Sequence, residues 1–292
     1  VENKENGSYP VYGGKNIYQF VYNDDFYGVS PPEFWSVDSD ENPELSAKQR
    51  IRDKEVRNLK TKIYNIFNGS GSQKGFVNDL LEKERGEPLS EDDVFRDIAR
   101  AADERTLIAS VIPPGVVCHS KLRTIQPYEV TATKDSLSET PLRSIYERVF
   151  TSEELFALLG LLNSIPFDHL MRTKIDTTIL DYKFRESRLP RLTEGDEWFH
   201  YISQRAAKLN CYGDEFEDMR NRLGGINPVI DESERREVQT ELDAAAFHAY
   251  GFERHEMTFI LDDFHRVKNP RVMTSEYFDM VVEKYDLLKQ TG

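Results

Sequence analysis

Cysteine is nearly absent: Cys118 and Cys211 are the only two in 292 residues. They lie far apart and match no zinc-ligand spacing, which excludes a cysteine-built metal site and a disulfide scaffold. Two idle thiols fit a reducing compartment, so a cytoplasmic location is expected. Long apolar runs are missing too. The best, Leu155–Leu162, is followed by Asn163 and Asp168 and falls well short of the ~18 residues of a membrane span. No basic-then-apolar leader opens the chain. Its first residue is Val1 rather than Met, which leads us to expect a segment of a longer protein. Positive charge is also short: 38 Lys and Arg stand against 52 Asp and Glu, a net charge of −14. That balance argues against general polyanion binding, because phosphate contacts need Lys and Arg. The cations cluster locally, however. Uniform acidity also suits a salt-rich host, where exposed carboxylates retain water. An unfolding curve against KCl tests that expectation, and full stability in low salt would count against it.

Hydrophobic residues make up 38% and charged residues 31%, a composition that folds rather than stays disordered. Near the start, Gly13-Gly14 signals a turn. Ile17 to Tyr22 then alternate in the manner of a strand. Residues 42–93 are polar and read as a surface insertion. Within it, Ile51, Val56, Leu59, Ile63 and Ile66 predict an amphipathic helix over 47–67, and a second short helix is expected over 76–83. Val94–Arg100, Thr106–Ile112, Val116–Cys118 and Tyr128–Thr133 read as strands. Thr151 with Glu154 forms a capping box opening a helix whose buried face is Leu155, Leu158, Leu159 and Leu162. Pro166 is expected to kink or end that helix. Ile175–Phe184 returns to strand character. From Glu197 three helical stripes follow. They are Trp198/Ile202/Ala206/Leu209, Val238/Leu242/Ala245/Ala249 closing at Gly251, and Met257/Ile260/Leu261/Phe264. The expected class is α+β: a β-containing domain over 1–195 with a helical insertion, then a helical region over 196–292.

Four stretches occur in order: YPVYGGKNIYQF, VFRDIARAADERTLIASVIPPGVVCHS, LFALLGLLNSIPFDHLMRTKIDTTILDYKFRESRLPRL and ELDAAAFHAYGFERHEMTFILDDF. Together they resemble the C-terminal half of Type IIG restriction-modification methylases and the related adenine-specific DNA methyltransferases of phage-defence islands. The resemblance spans most of the chain apart from residues 40–90. It implies a target-recognition domain with a mixed β-sheet, followed by a helical spacer. It places S-adenosylmethionine and catalysis in an upstream methyltransferase domain of the same chain. Double-stranded DNA is the implied partner, with other defence subunits as further partners. The family departs here at Thr177-Thr178-Ile179-Leu180-Asp181, where relatives carry a sequence such as Gly-Thr-His-Leu-Asn.

No catalytic, cofactor or metal residue is expected within the chain. Ser30-Pro31-Pro32-Glu33 imitates the family's Pro-Pro-aromatic motif, but Glu33 stands where an aromatic ring should stack on a flipped base. No glycine-rich cofactor turn precedes it. A rigid proline loop among buried aromatics is the plainer reading. The six histidines form no metal-ligand set. Glu82-Lys83-Glu84 imitates a nuclease motif only superficially.

Base edges are read by polar and cationic side chains on loops, and phosphates by Lys and Arg. Lys15 and Asn16 fall at an expected hairpin tip after the double glycine. His119, Ser120, Lys121 and Arg123 form the densest cationic loop of the matched region. Arg172 and Lys174 close the long helix and either touch phosphate or complement the helix dipole. Lys183 belongs to an expected groove-lining strand. Arg105 is expected in a structural ion pair with Asp97 or Asp103. The competing reading is a protein-interaction module of a defence complex that makes little DNA contact.

Overall fold

The computed structural model describes residues 9–23, 26–35, 61–63, 65, 93–96, 103–113, 116–118, 121–125, 127–131, 133, 146–175, 177–264 and 267–291. The strands are short: β1 (Tyr9–Tyr12), β2 (Glu33–Trp35), β3 (Asp93–Arg96), β4 (Ala109–Val111), β5 (Val117–Cys118), β6 (Leu122–Ile125), β7 (Tyr128–Val130) and β8 (Tyr146–Arg148). Helices then take over: α1 (Ser152–Leu162), α2 (Ile165–Arg172), α3 (Asp181–Arg185), α4 (Phe199–Asn210), α5 (Glu217–Arg222), α6 (Glu232–Ala249), α7 (Arg254–Phe264) and α8 (Ser275–Thr291). The chain is therefore α+β. Strand order is β2-β1-β5 in one sheet and β4-β3-β6 in a second, with β7 and β8 as a separate pair. Among the described strands, only the β1–β5 pairing is parallel. Of the expected insertion, residues 61–63 and 65 are described as helical, with Ile63 fully buried, and its last residue, Asp93, opens β3. The expected helix over 76–83 lies outside the described residues.

The alternating stretch after Gly13-Gly14 is not a strand. A single 3-10 turn covers Gly14–Asn16, and Tyr18 and Val21 exchange backbone hydrogen bonds at 2.8 and 3.1 Å around a tight turn. Phe20 sits there at φ +59°. Residues 16–22 are all buried, so the period of two had no solvent face to mark. A half-buried strand would have shown one. The turn is wedged into the core, and Gln19 satisfies its amide by donating to the Asn163 carbonyl at 2.8 Å.

β4 pairs with β3 on one side only. An edge strand buried in a core leaves backbone groups without partners. Two asparagines at helix ends supply them. Asn163, just past α1, accepts from the Ala109 amide and donates to the Ala109 carbonyl, both at 3.0 Å. Asn210, the last residue of α4, does the same to Val111 at 2.9 Å each way. Each amide side chain thus imitates one residue of a neighbouring strand and fastens a helix end to the sheet.

The Thr151–Glu154 capping box is present, with reciprocal bonds of 3.1 and 2.7 Å. The helix breaks at Asn163-Ser164 rather than at Pro166, which instead lies in the first turn of α2, where its missing N–H costs nothing. α1 packs closely on α4: a Cβ added at Gly160 would lie 2.5 Å from Ile202 Cγ2. α6 starts on an Asp231 cap. It ends at Gly251 (φ +74°), with Gly251 N–H bonded to His248 O and Phe252 N–H to Phe247 O, the two bonds of a Schellman motif. The Phe247 and Phe252 rings meet edge-on across it. One continuous buried cluster runs from Tyr12 through Leu107, Leu155 and Phe167 to Leu242, Phe264 and Tyr285. It passes straight through the expected boundary at residue 195, so residues on both sides share one core. No helix among the described residues is long and apolar enough to cross a membrane.

Candidate nucleic-acid interface

One residue expected at the DNA interface, Arg172, joins a buried polar network built around Arg105, Asp243 and Asp168. Arg105 and Asp243 lie in the core with side chains 2% exposed, joined at 3.3 Å. Asp243 also accepts from the Tyr277 hydroxyl at 2.6 Å and the Ile165 amide at 2.8 Å. Burial pushes the Asp243 carboxyl upward, against the pull of Arg105 and those two donors. Arg105 is thus in a structural ion pair, as expected, with Asp243 of α6 as the observed partner; Asp97, one of the expected partners, lies outside the described residues. Asp168, on α2, accepts from the Thr106 and Leu107 amides at 2.7 Å each.

Arg172 belongs to the same network. Its Nε donates to Asp168 at 3.0 Å, and its Nη2 donates to the Asp103 and Glu104 carbonyls at 2.6 and 2.7 Å. The guanidinium also lies 4.2 Å from the centre of the Phe264 ring. The side chain thus clamps α2 to the approach to β4 and to α7. Asn16 is likewise structural. It is 1% exposed. Its Nδ2 donates to the carbonyls of Ser30 and Pro31, and its Oδ1 accepts from Gly13 N. Those bonds hold the Ser30-Pro31 backbone against the Gly14–Asn16 turn. Lys15 beside it is exposed and paired with Glu33 at 2.8 Å. The lysine ammonium holds the Glu33 carboxyl below its usual value.

The remaining cations converge. Lys121 lies in the turn entering β6. Leu122–Ile125, expected as loop, is a strand registered against β3, with Arg123 opposite Phe95. Ile175–Phe184, expected as strand, is instead a loop followed by α3. Tyr182 and Lys183 therefore lie on a helical turn whose first residue, Asp181, reaches Arg123 at 3.6 Å. Lys183 Nζ donates to the Lys174 carbonyl at 2.5 Å, and Lys174 Nζ donates to Ser187 Oγ at 3.0 Å. Arg123 from β6, Lys174 from the turn after α2 and Lys183 from α3 thereby meet in one neighbourhood around α3, with Lys121 two residues before Arg123. Leu180 and Tyr182, 41% and 55% exposed, stand beside them. Arg185, Arg188 and Arg191, which the sequence reading passed over, continue the same segment and are exposed. His119 and Ser120 lie outside the described residues.

His248 is a packing residue. Its ring is stacked between Trp198 and Tyr285, with centroids at 5.1 and 4.0 Å, and its Nε2 contacts the Tyr285 carbonyl. Comparison with protein-family profiles, with curated proteins and with solved structures finds no match.

Proposed function

We propose that this chain is a DNA-recognition module, its short-stranded half carrying the reading face and its helices the supporting spacer. More particularly, we read it as the target-recognition part of an adenine-specific DNA methyltransferase of a restriction-modification or phage-defence system. S-adenosylmethionine binding and methyl transfer belong to another domain of that enzyme. The observation that carries the reading is the Arg123–Asp181 contact. It draws β6 to α3 and gathers Lys121, Arg123, Lys174 and Lys183 in a chain whose net charge is −14. Such a grouping offers phosphate anchors, and Arg123 and Lys121 supply donors of the kind that recognise guanine in the major groove.

The test is replacement of Lys121 and Arg123 by alanine in the intact methyltransferase, with modified bases mapped genome-wide. Each lost bidentate base contact should cost about 1–3 kcal/mol of discrimination, visible as undermethylated or relaxed sites. Unchanged methylation at every site would refute the assignment. The second reading, docking of another defence protein, draws on Phe259, which projects from α7 at 72% exposure. Binding that barely responds to salt would favour it, because phosphate contacts impose a steep salt dependence.

A further inference from the structure

We propose that Tyr182, Arg185, Arg188 and Arg191 form a phosphate-tracking strip that grips the backbone of duplex DNA beside the candidate reading face. The proposal rests on the DNA-recognition reading and adds residues that reading does not use.

The strip reverses the charge balance of the chain. Between residues 172 and 191 there are six Lys and Arg against three Asp and Glu, whereas the whole chain has 38 against 52. Four other arginines of this acidic protein find carboxylates: Arg105 with Asp243, Arg172 with Asp168, Arg205 with Glu241 and Arg254 with Asp286. Arg185, Arg188 and Arg191 are exposed, and none of the three has a side-chain hydrogen bond or ion pair among the described residues. Three successive unneutralised guanidinium groups are a standing repulsion, which an anionic partner would relieve.

The backbone that carries them is well held. Lys174 Nζ donates to Ser187 Oγ at 3.0 Å and to the Glu186 carbonyl at 3.3 Å. The Tyr250 hydroxyl donates to the Arg188 carbonyl at 3.3 Å. Leu189 and Leu192 are partly buried and pack on the core, while Arg188 and Arg191 are exposed. Tyr182 lies one helical turn before Arg185, on the same side of α3. Its phenol can donate to a phosphate oxygen, and each guanidinium fork matches one bidentately. Glu186 is the exposed carboxylate among them, one negative charge against three positive.

The experiment compares the whole chain with its R185A/R188A/R191A variant for binding to a duplex of random sequence, over about 50–300 mM KCl, a range in which counterion release is readily measured. Each phosphate contact adds about 0.9 to the slope of log affinity against log salt. The wild-type slope should therefore exceed the variant's by about 2–3, with weaker variant binding at low salt. A second arm selects preferred sequences from a random pool with both proteins. Retained preference in the variant marks the strip as backbone-reading. Equal slopes, or no duplex binding by the wild type, would overturn the strip. A steeper wild-type slope without any sequence preference in either protein would leave the strip standing and remove the recognition reading instead.

Discussion

Asp243 has three donors and no solvent: Arg105, the Tyr277 hydroxyl and the Ile165 amide. Removing it leaves a buried guanidinium with no counter-charge. Asp243→Ala should therefore lose about 3–5 kcal/mol of unfolding free energy, whereas Tyr277→Phe, which deletes one neutral donor, should lose about 1 kcal/mol. Urea titration checks both, and equal losses would mean that the charge pair is not the dominant element. Glu104 supplies a pH signature. Its Oε1 accepts from the Val272 and Met273 amides at 2.6 and 2.7 Å, and its Oε2 accepts from the Tyr18 hydroxyl at 3.1 Å. Burial alone would raise this carboxyl. The amides of residues 271–273 outweigh it and hold the group below its ordinary 4.5. A carboxyl depressed on folding adds stability that is fully present above its unfolded value and is lost as pH falls through the folded one. Wild type should therefore exceed Glu104→Gln in stability at neutral pH, and the gap should close below about pH 4.5. A gap unchanged into that acid range would contradict the assignment.

Elements pack here by closeness as much as by apolar faces. Gly160 lets α1 approach α4 until an added methyl would overlap Ile202. That β-branched side chain has little rotamer freedom with which to yield. Gly160→Ala gains about 1 kcal/mol of helix propensity but incurs about 1–3 kcal/mol of overpacking. A net loss is expected, and it should shrink in an Ile202→Ala background. Strict additivity in that double-mutant cycle would show that the contact is not the cause. The helices were the most legible elements in the sequence. The Thr151 box, the Gly251 stop and the Met257/Ile260/Leu261/Phe264 stripe all lie where local spacing puts them, because caps and 3.6-residue periodicity are set within a few residues. The stretches 17–22 and 175–184 were misread as strands. In the first, apolar alternation reflected burial on every side rather than a sheet face; in the second, Ile175 and Ile179 are buried but Leu180 and Tyr182 are exposed, and the chain turns into a short helix.

At the scale of the whole molecule, the buried cluster and the Arg105–Asp243 pair cross residue 195, so the two expected regions should unfold together. Equilibrium urea unfolding, followed by Trp fluorescence and by far-ultraviolet circular dichroism, should give coincident single transitions. Residues 196–292 alone should lack cooperative folding, since α4 and α6 would lose α1. Two separated transitions would restore independent domains. The candidate face shows the same division. That Lys121, Arg123, Lys174 and Lys183 are cationic was plain from the sequence. That Arg172 and Asn16 are withdrawn into the interior, while Arg185, Arg188 and Arg191 are left outside, was not.

By itself the sequence determined the α+β class of the chain, individual helix limits such as the Thr151 start and the Gly251 stop, and the local excess of cations, since these follow from composition, capping and periodicity. Only the tertiary structure decided which polar groups are internal. Whether an arginine meets water or a carboxylate depends on residues more than a hundred positions away, as Arg105 and Asp243 show. No local pattern encodes that distance.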